Sequence, residues 1–170
     1  MLPCAAQELI KQLGLVEHPE GGYYQRIYTA SAASTAPNRA AATAIHYLLV
    51  RGRVSRLHSL LSDELWFHHA GDALTVVEVA RSGPTLGGSV VQTRLGGGGG
   101  GGRLFHAVHA GTAFGAELPE GSEWALVSCV VVPGFDFADW RLVSRAEAVA
   151  GIEDAAARAV LERLTHPATT

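Results

Sequence analysis

Between Tyr23 and about Trp140 the chain is cut into short apolar runs by Gly, Pro, Asn and Asp at close intervals, and this punctuation limits the possible fold more than any other feature. Runs rich in Val, Ile, Thr, Tyr and Trp favour extended backbone, because branched and aromatic side chains pack well on a pleated surface. The pattern predicts strands at 23–29, 43–50, 54–60, 64–69, 73–81, 88–94, 103–108, 112–118, 124–132 and 138–143. So many short strands in 170 residues argue for a barrel or sandwich.

The two ends change period. Leu9, Ile10 and Leu13 recur at helical spacing within Ala5–Leu13, and Gly14 is placed to stop that helix. Near the C-terminus Ser144 and Glu147 have capping-box form. Beyond them Val149, Ile152, Ala156, Val160, Leu161 and Leu164 form an apolar stripe, so one helix is expected over about 145–164, with Pro167 after its end. Both helices are expected outside an all-β barrel core of about 20–143. No linker or repeat divides residues 1–170, which read as one domain.

Hydrophobic content of 48% with 17% charged residues is that of a globular chain, and the net charge of −3 offers nothing to nucleic acid. Arg51, Arg53 and Arg56 form the densest basic group, read either as a charged strand edge or as a contact for an anionic substrate. Cys4 and Cys129 make no disulfide framework and read as reduced thiols. No apolar stretch approaches the roughly 20 residues that span a bilayer, and no secretion signal opens the chain, so a cytoplasmic location without membrane partners is expected. Gly96–Gly102 is an unbroken run of seven glycines. A phosphate loop would need Lys-Ser/Thr after it or a following helix. Arg103-Leu104-Phe105 follows instead, so a flexible strand-to-strand loop is expected.

Six of the eight histidines fall between His46 and His109. On paired strands His58, Leu60, Glu64, Trp66 and His68 share parity and would point into one barrel interior. His58, Glu64, Trp66 and His68 therefore form the leading candidate cluster. His46, of undetermined direction, and His106 stand second. Asp63 and Glu64 are neighbours on a strand and face opposite ways; Asp136 and Asp139 read as turn formers. Nucleophile elbows, zinc-spaced Cys pairs and His-Glu-x-x-His helices are missing from the sequence.

His18-Pro19-Glu20-Gly21-Gly22-Tyr23-Tyr24, Thr43-Ala44-Ile45, Ser62-Asp63-Glu64-Leu65-Trp66, Gly71-Asp72 and Pro133-Gly134-Phe135-Asp136-Phe137 occur in that order. Together they resemble the DUF985 (cupin-5) family of small single-domain cupins over roughly residues 8–143. The resemblance implies a double-stranded β-helix, or jelly-roll barrel, usually dimeric; since exposed strand edges gain from partner strands, the segment around His18–Tyr28 is the expected bridge between copies. Relatives in the wider superfamily include sugar-nucleotide 3,5-epimerases, in which the first cupin His is a metal-free general base; His58 matches it. The spacing Gly52-x5-His58-x-Leu60-x3-Glu64-x6-Gly71 has Leu60 where a metal cupin would have a second His, and Phe114 stands where it would have its last.

Two of four expected ligands are thus missing, so no metal cofactor is expected. The residual alternative is a divalent metal on His58 and Glu64 with His46 or His68. The leading expectation is a small-molecule enzyme acting by proton transfer on a keto-sugar or natural-product intermediate. His58 would be its base, Glu64 would tune it, and His68 or Tyr24 would return the proton. Trp66, Phe114, His46 and His106 would line the substrate pocket. The alternatives are a non-catalytic ligand-binding cupin and a metal-dependent cupin with a rearranged His/Glu site.

Overall fold

Period-two alternation builds the layers of this molecule. The computed structural model describes residues 2–35, 38–82, 85–96 and 101–165. In chain order the elements are α1 (Cys4–Leu13), β1 (Val16–Glu17), β2 (Tyr23–Thr29), β3 (Thr43–Val50), β4 (Ser55–Ser59), β5 (Asp63–Gly71) and β6 (Leu74–Ser82). There follow β7 (Thr85–Leu95), β8 (Phe105–Val108), β9 (Ala113–Glu117), β10 (Trp124–Val132), β11 (Arg141–Leu142), α2 (Arg145–Val149) and α3 (Ala155–Thr165). One sheet runs β1-β2-β3-β10-β5-β8 and the other β11-β4-β9-β6-β7, and every pairing is antiparallel. The two sheets face each other as a jelly roll.

Strand parity decides what each face meets. On β3 the odd residues Ile45, Tyr47 and Leu49 face the second sheet, while Leu48 and Val50 face out against α1. On β10 Val127, Cys129 and Val131 face in, and Leu126 faces out. Between the sheets these residues meet Leu74, Val76, Leu95, Phe114 and Ala116. α1 lays Ala6, Leu9, Ile10 and Leu13 on the outside of the first sheet and stops at Gly14, whose φ of 62° and N–H bond to the Ile10 carbonyl close the last turn. Burying such aliphatic side chains stabilises by about 1.5–3 kcal/mol each before chain entropy is counted.

The observed strands fall on the expected ones, with three corrections. β1 was not expected; it is only two residues long and too short to show alternation. The run at 138–143 contributes only Arg141–Leu142, because a turn occupies 137–139. The expected C-terminal helix is two helices that cover the outer face of the second sheet through Ala148, Ile152, Val160, Leu161 and Leu164. Gly151, at φ 71°, reverses the chain, and the Asp154 carboxylate restarts it by accepting the Ala157 N–H at 2.6 Å. Ser144 does cap α2, accepting the Glu147 N–H, but the Glu147 carboxylate turns away to Arg141. Of the expected glycine loop, residues 97–100 lie outside the described residues, as does Pro167.

Candidate functional site

The turn from β1 to β2 builds one wall of a chamber between the sheets. His18 N–H donates to the Gly22 carbonyl and Gly21 N–H to that of His18, which folds His18–Gly22 into a tight loop. Gly21 and Gly22 have φ of 112° and 70°. A Cβ on Gly21 would lie 2.2 Å from the Val54 carbonyl oxygen, so no larger residue fits. The Tyr47 hydroxyl donates to the Gly21 carbonyl at 2.8 Å and pins the loop to β3. Glu20 is thereby pushed inward and is 7% exposed.

Three side chains, two from β4 and one from the segment after β10, surround the Glu20 carboxylate. It accepts the Ser55 hydroxyl at 3.1 Å and the Trp140 indole N–H at 2.6 Å, and the His58 Nε2 stands 3.5 Å away. His58 Nδ1 donates to the Arg56 carbonyl at 2.7 Å. With Nδ1 donating to that carbonyl, Nε2 is the ring nitrogen that faces the Glu20 carboxylate. His18 takes the Glu20 backbone N–H on its Nδ1, which places the proton of the neutral ring on Nε2. Burial holds the His18 imidazole below its usual range, against the opposing Glu20 charge.

Glu64, inward on β5 and 7% exposed, lines the same chamber. Its carboxyl is pushed up to about 8, first by burial and then by the charge of Glu20, while a hydrogen bond from the Cys129 thiol partly offsets both. At neutral pH Glu64 is therefore mostly a neutral acid with a proton to give. Burial in turn raises the Cys129 thiol and the Tyr47 phenol, so neither is an anion at neutral pH. Trp66, 2% exposed, lines the chamber beside Glu64, and its indole N–H has no acceptor.

The chamber has a cavity volume of about 60 Å³ and opens to solvent. At its rim stand Arg26, Phe135 and Phe137. The segment bearing the two Phe residues is fixed by the Phe135 N–H to Thr43 Oγ1 bond at 3.0 Å, and by Arg39, which reaches the Gly134 carbonyl, Ser62 and Asp139. Asp136 accepts the Ala138 N–H as a turn former; Asp139 instead pairs with Arg39.

Of the residues expected from the sequence, the chamber gathers Glu64, Trp66 and Tyr24. His58 reaches it only through Glu20. Four others lie elsewhere. His68 shares the inward parity, pairing in register with Val127, but lies beyond Trp66, and its Nε2 meets the Asp72 carbonyl at 2.9 Å. His46 faces outward, as the parity of Leu48 and Val50 requires, and shares the Ser128 hydroxyl with His69. His106 faces inward but pairs with Glu78 of the opposite sheet at 2.6 Å. Phe114 is 1% exposed, packed against His58 and Trp66 behind the wall. Sequence reasoning gave no role to His18, Glu20, Tyr47, Ser55, Cys129 or Trp140. The available signal for Glu20 was the Gly-Gly that follows it, since paired glycines mark a close backbone approach.

The two positions where a metal cupin would carry further ligands hold hydrocarbon side chains. Leu60 sits 3% exposed in the aliphatic core, Phe114 is a packed ring, and His58 has both nitrogens engaged. Among the described residues no three His, Cys, Asp or Glu are grouped to hold an ion. Each member of the basic triplet has a partner within the chain: Arg51 pairs with Glu123, Arg53 with Glu17, and an Arg56 terminal nitrogen donates to the Pro19 carbonyl while its Nε is buried without an acceptor. No helix among the described residues is long and apolar enough to cross a membrane.

Two antiparallel sheets enclosing a chamber that opens at one end define a cupin. The same fold is seen in a cupin-2 domain protein from Rhodospirillum rubrum, 14% identical with a TM-score of 0.59, over 89% of each chain. More narrowly, the chain belongs to the Cupin_5 family of the cupin superfamily (DUF985), whose model matches residues 7–143. It is similar to a crystallised protein from Shewanella oneidensis, 33% identical with a TM-score of 0.83, over 95% of this chain and 98% of that one. A protein from Leishmania major is 29% identical with a TM-score of 0.84, over 95% of this chain and 99% of that one. Among curated proteins none matches the chain.

Proposed function

We propose that this cupin is a metal-independent acid–base enzyme of the epimerase, isomerase or cyclase type, acting on a small carbonyl compound. The observation supporting this is a pair of buried carboxyl groups lining one chamber with opposite partners. The carboxyl that burial raises is the candidate acid, and the one held by two hydrogen-bond donors is the candidate base. Glu64 is the proton donor. Glu20, accepting bonds from Ser55 and Trp140, is the base that takes a proton from carbon next to a carbonyl. His58, behind Glu20, is a positioning residue that orients the carboxylate. The Nε2–H of His18 supports the negative charge that develops on the carbonyl oxygen. Glu64 then returns a proton to carbon, and exchange with solvent resets both carboxyls. Well-placed acid or base groups contribute about 10²–10⁴-fold each.

Incubating keto-sugars and 2-oxo acids with the protein in deuterated water tests this reading. Deuterium should enter the carbon beside the carbonyl, survive metal chelation, and fall at least about a hundredfold in Glu64→Gln and in Glu20→Gln. Ligand binding without exchange would reject catalysis in favour of a receptor cupin.

The same reading includes a homodimer. Tyr28, Phe105 and Val132 are 54%, 46% and 41% exposed on the outward face of the first sheet, and β1 covers only Tyr23 and Tyr24 of β2. A monomeric mass in solution would refute it.

A further inference from the structure

Arg26 lies on β2 opposite Ile45, so it emerges on the chamber side of the sheet and lines the rim. Its guanidinium has no hydrogen-bond or ion-pair partner among the described residues, whereas Arg39, Arg51, Arg53, Arg56, Arg141 and Arg163 each have one. Deeper in, the donors again lack acceptors. The Trp66 N–H is buried without a partner, and the Glu64 carboxyl presents a further O–H. The one strong acceptor, Glu20, is already taken by Ser55, Trp140 and His58. Between rim and floor Ile45, Val131 and Phe135 form the apolar part of the wall, beside the hydroxyls of Tyr24 and Thr43. Polyol hydroxyls that meet the apolar part would go unpaired, at the cost of each unmade bond.

We infer that the substrate is a small carboxylic acid with a flat apolar body, its carboxylate forked by Arg26 at the rim and its carbonyl end lying toward Glu64 and Trp66. This rests on the chamber being the ligand site proposed above, and it selects oxo acids over keto-sugars within that proposal. The planar guanidinium suits a carboxylate, which it binds through two parallel N–H bonds. Arg26 is exposed on a strand and holds nothing else in place, so it is free to determine specificity without supporting the fold.

Calorimetric titration with phenylpyruvate and with its methyl ester separates the charge from the body. The wild-type protein should bind the acid about tenfold or more tightly than the ester, and added salt should weaken only the acid. Arg26→Ala should bring acid and ester within about twofold of each other, with the ester unchanged, while Arg26→Lys should recover only part of the preference. Glu64→Gln, which slows proton exchange and meets the carbonyl end common to both, should weaken acid and ester alike, so a failure of catalysis leaves the comparison standing. Equal binding of acid and ester, equal loss of both in Arg26→Ala, or no binding of either overturns the inference. Tighter binding of phenyl phosphate than of phenylpyruvate would assign the rim to phosphate and overturn it as well.

Discussion

The indole nitrogen of Trp140 lies 2.6 Å from a carboxylate oxygen of Glu20, joining the turn before β2 to the segment after β10 across 120 residues of chain. One bond thus couples the rim segment that carries Phe135 and Phe137 to the base in the chamber. Ser55 holds the other oxygen at 3.1 Å from β4, so three distant stretches of sequence must all fold before Glu20 is placed.

Trp140→Phe keeps the ring but removes the donor. A hydrogen bond to a charged group is worth about 1.5–3 kcal/mol, and urea unfolding should show a loss of that order. The same variant should slow proton exchange into substrate more than it weakens binding, since the apolar walls are untouched.

Glu64 makes stability depend on pH with a definite sign. Its pKa rises from 4.5 in an unfolded chain to about 8 in the fold. The contribution is fully present below about pH 4.5 and is lost as pH rises through about 8. Glu64→Gln removes that dependence. Urea titrations at pH 5, 7 and 9 should show the wild type losing ground to the variant as pH rises, by on the order of a few kcal/mol at pH 9.

His58 acts through Glu20, and its replacement should leave a signature that packing loss alone would not. His58→Asn should lower the exchange rate about a hundredfold with substrate affinity nearly unchanged. An equal loss of rate and affinity would reduce His58 to a packing residue beneath Phe114.

His106 and Glu78 meet at 2.6 Å between the two sheets, away from the chamber. His106→Gln should destabilise the protein by about 1–3 kcal/mol in urea and leave ligand titrations as they were. A loss of affinity instead would return His106 to the binding site.

Much of this architecture could be read from the sequence, because alternation survives wherever one strand face is buried. β3 and β10 begin and end where their apolar runs do, and the inward parity of Glu64 and Trp66 follows from the same rule. Parity failed where it has no purchase. Glu20 sits on a turn, where period two does not apply, and its partners lie 35, 38 and 120 residues away. His68 shows the second limit: parity gives the face of a side chain but not its height along the barrel, and His68 lies past the chamber floor. The C-terminal stripe had the right apolar residues, yet Gly151 and Asp154 outweighed it and split the helix.

The account depends on a buried carboxyl that keeps its proton at neutral pH, and isotope-edited infrared spectroscopy reads that state directly. With labelled glutamate, a protonated carboxyl band should be present at pH 7, bleach with a midpoint near pH 8, and be missing from Glu64→Gln. A carboxylate already ionised at pH 6 would contradict the assignment of Glu64 as the acid and, with it, the proton-transfer function.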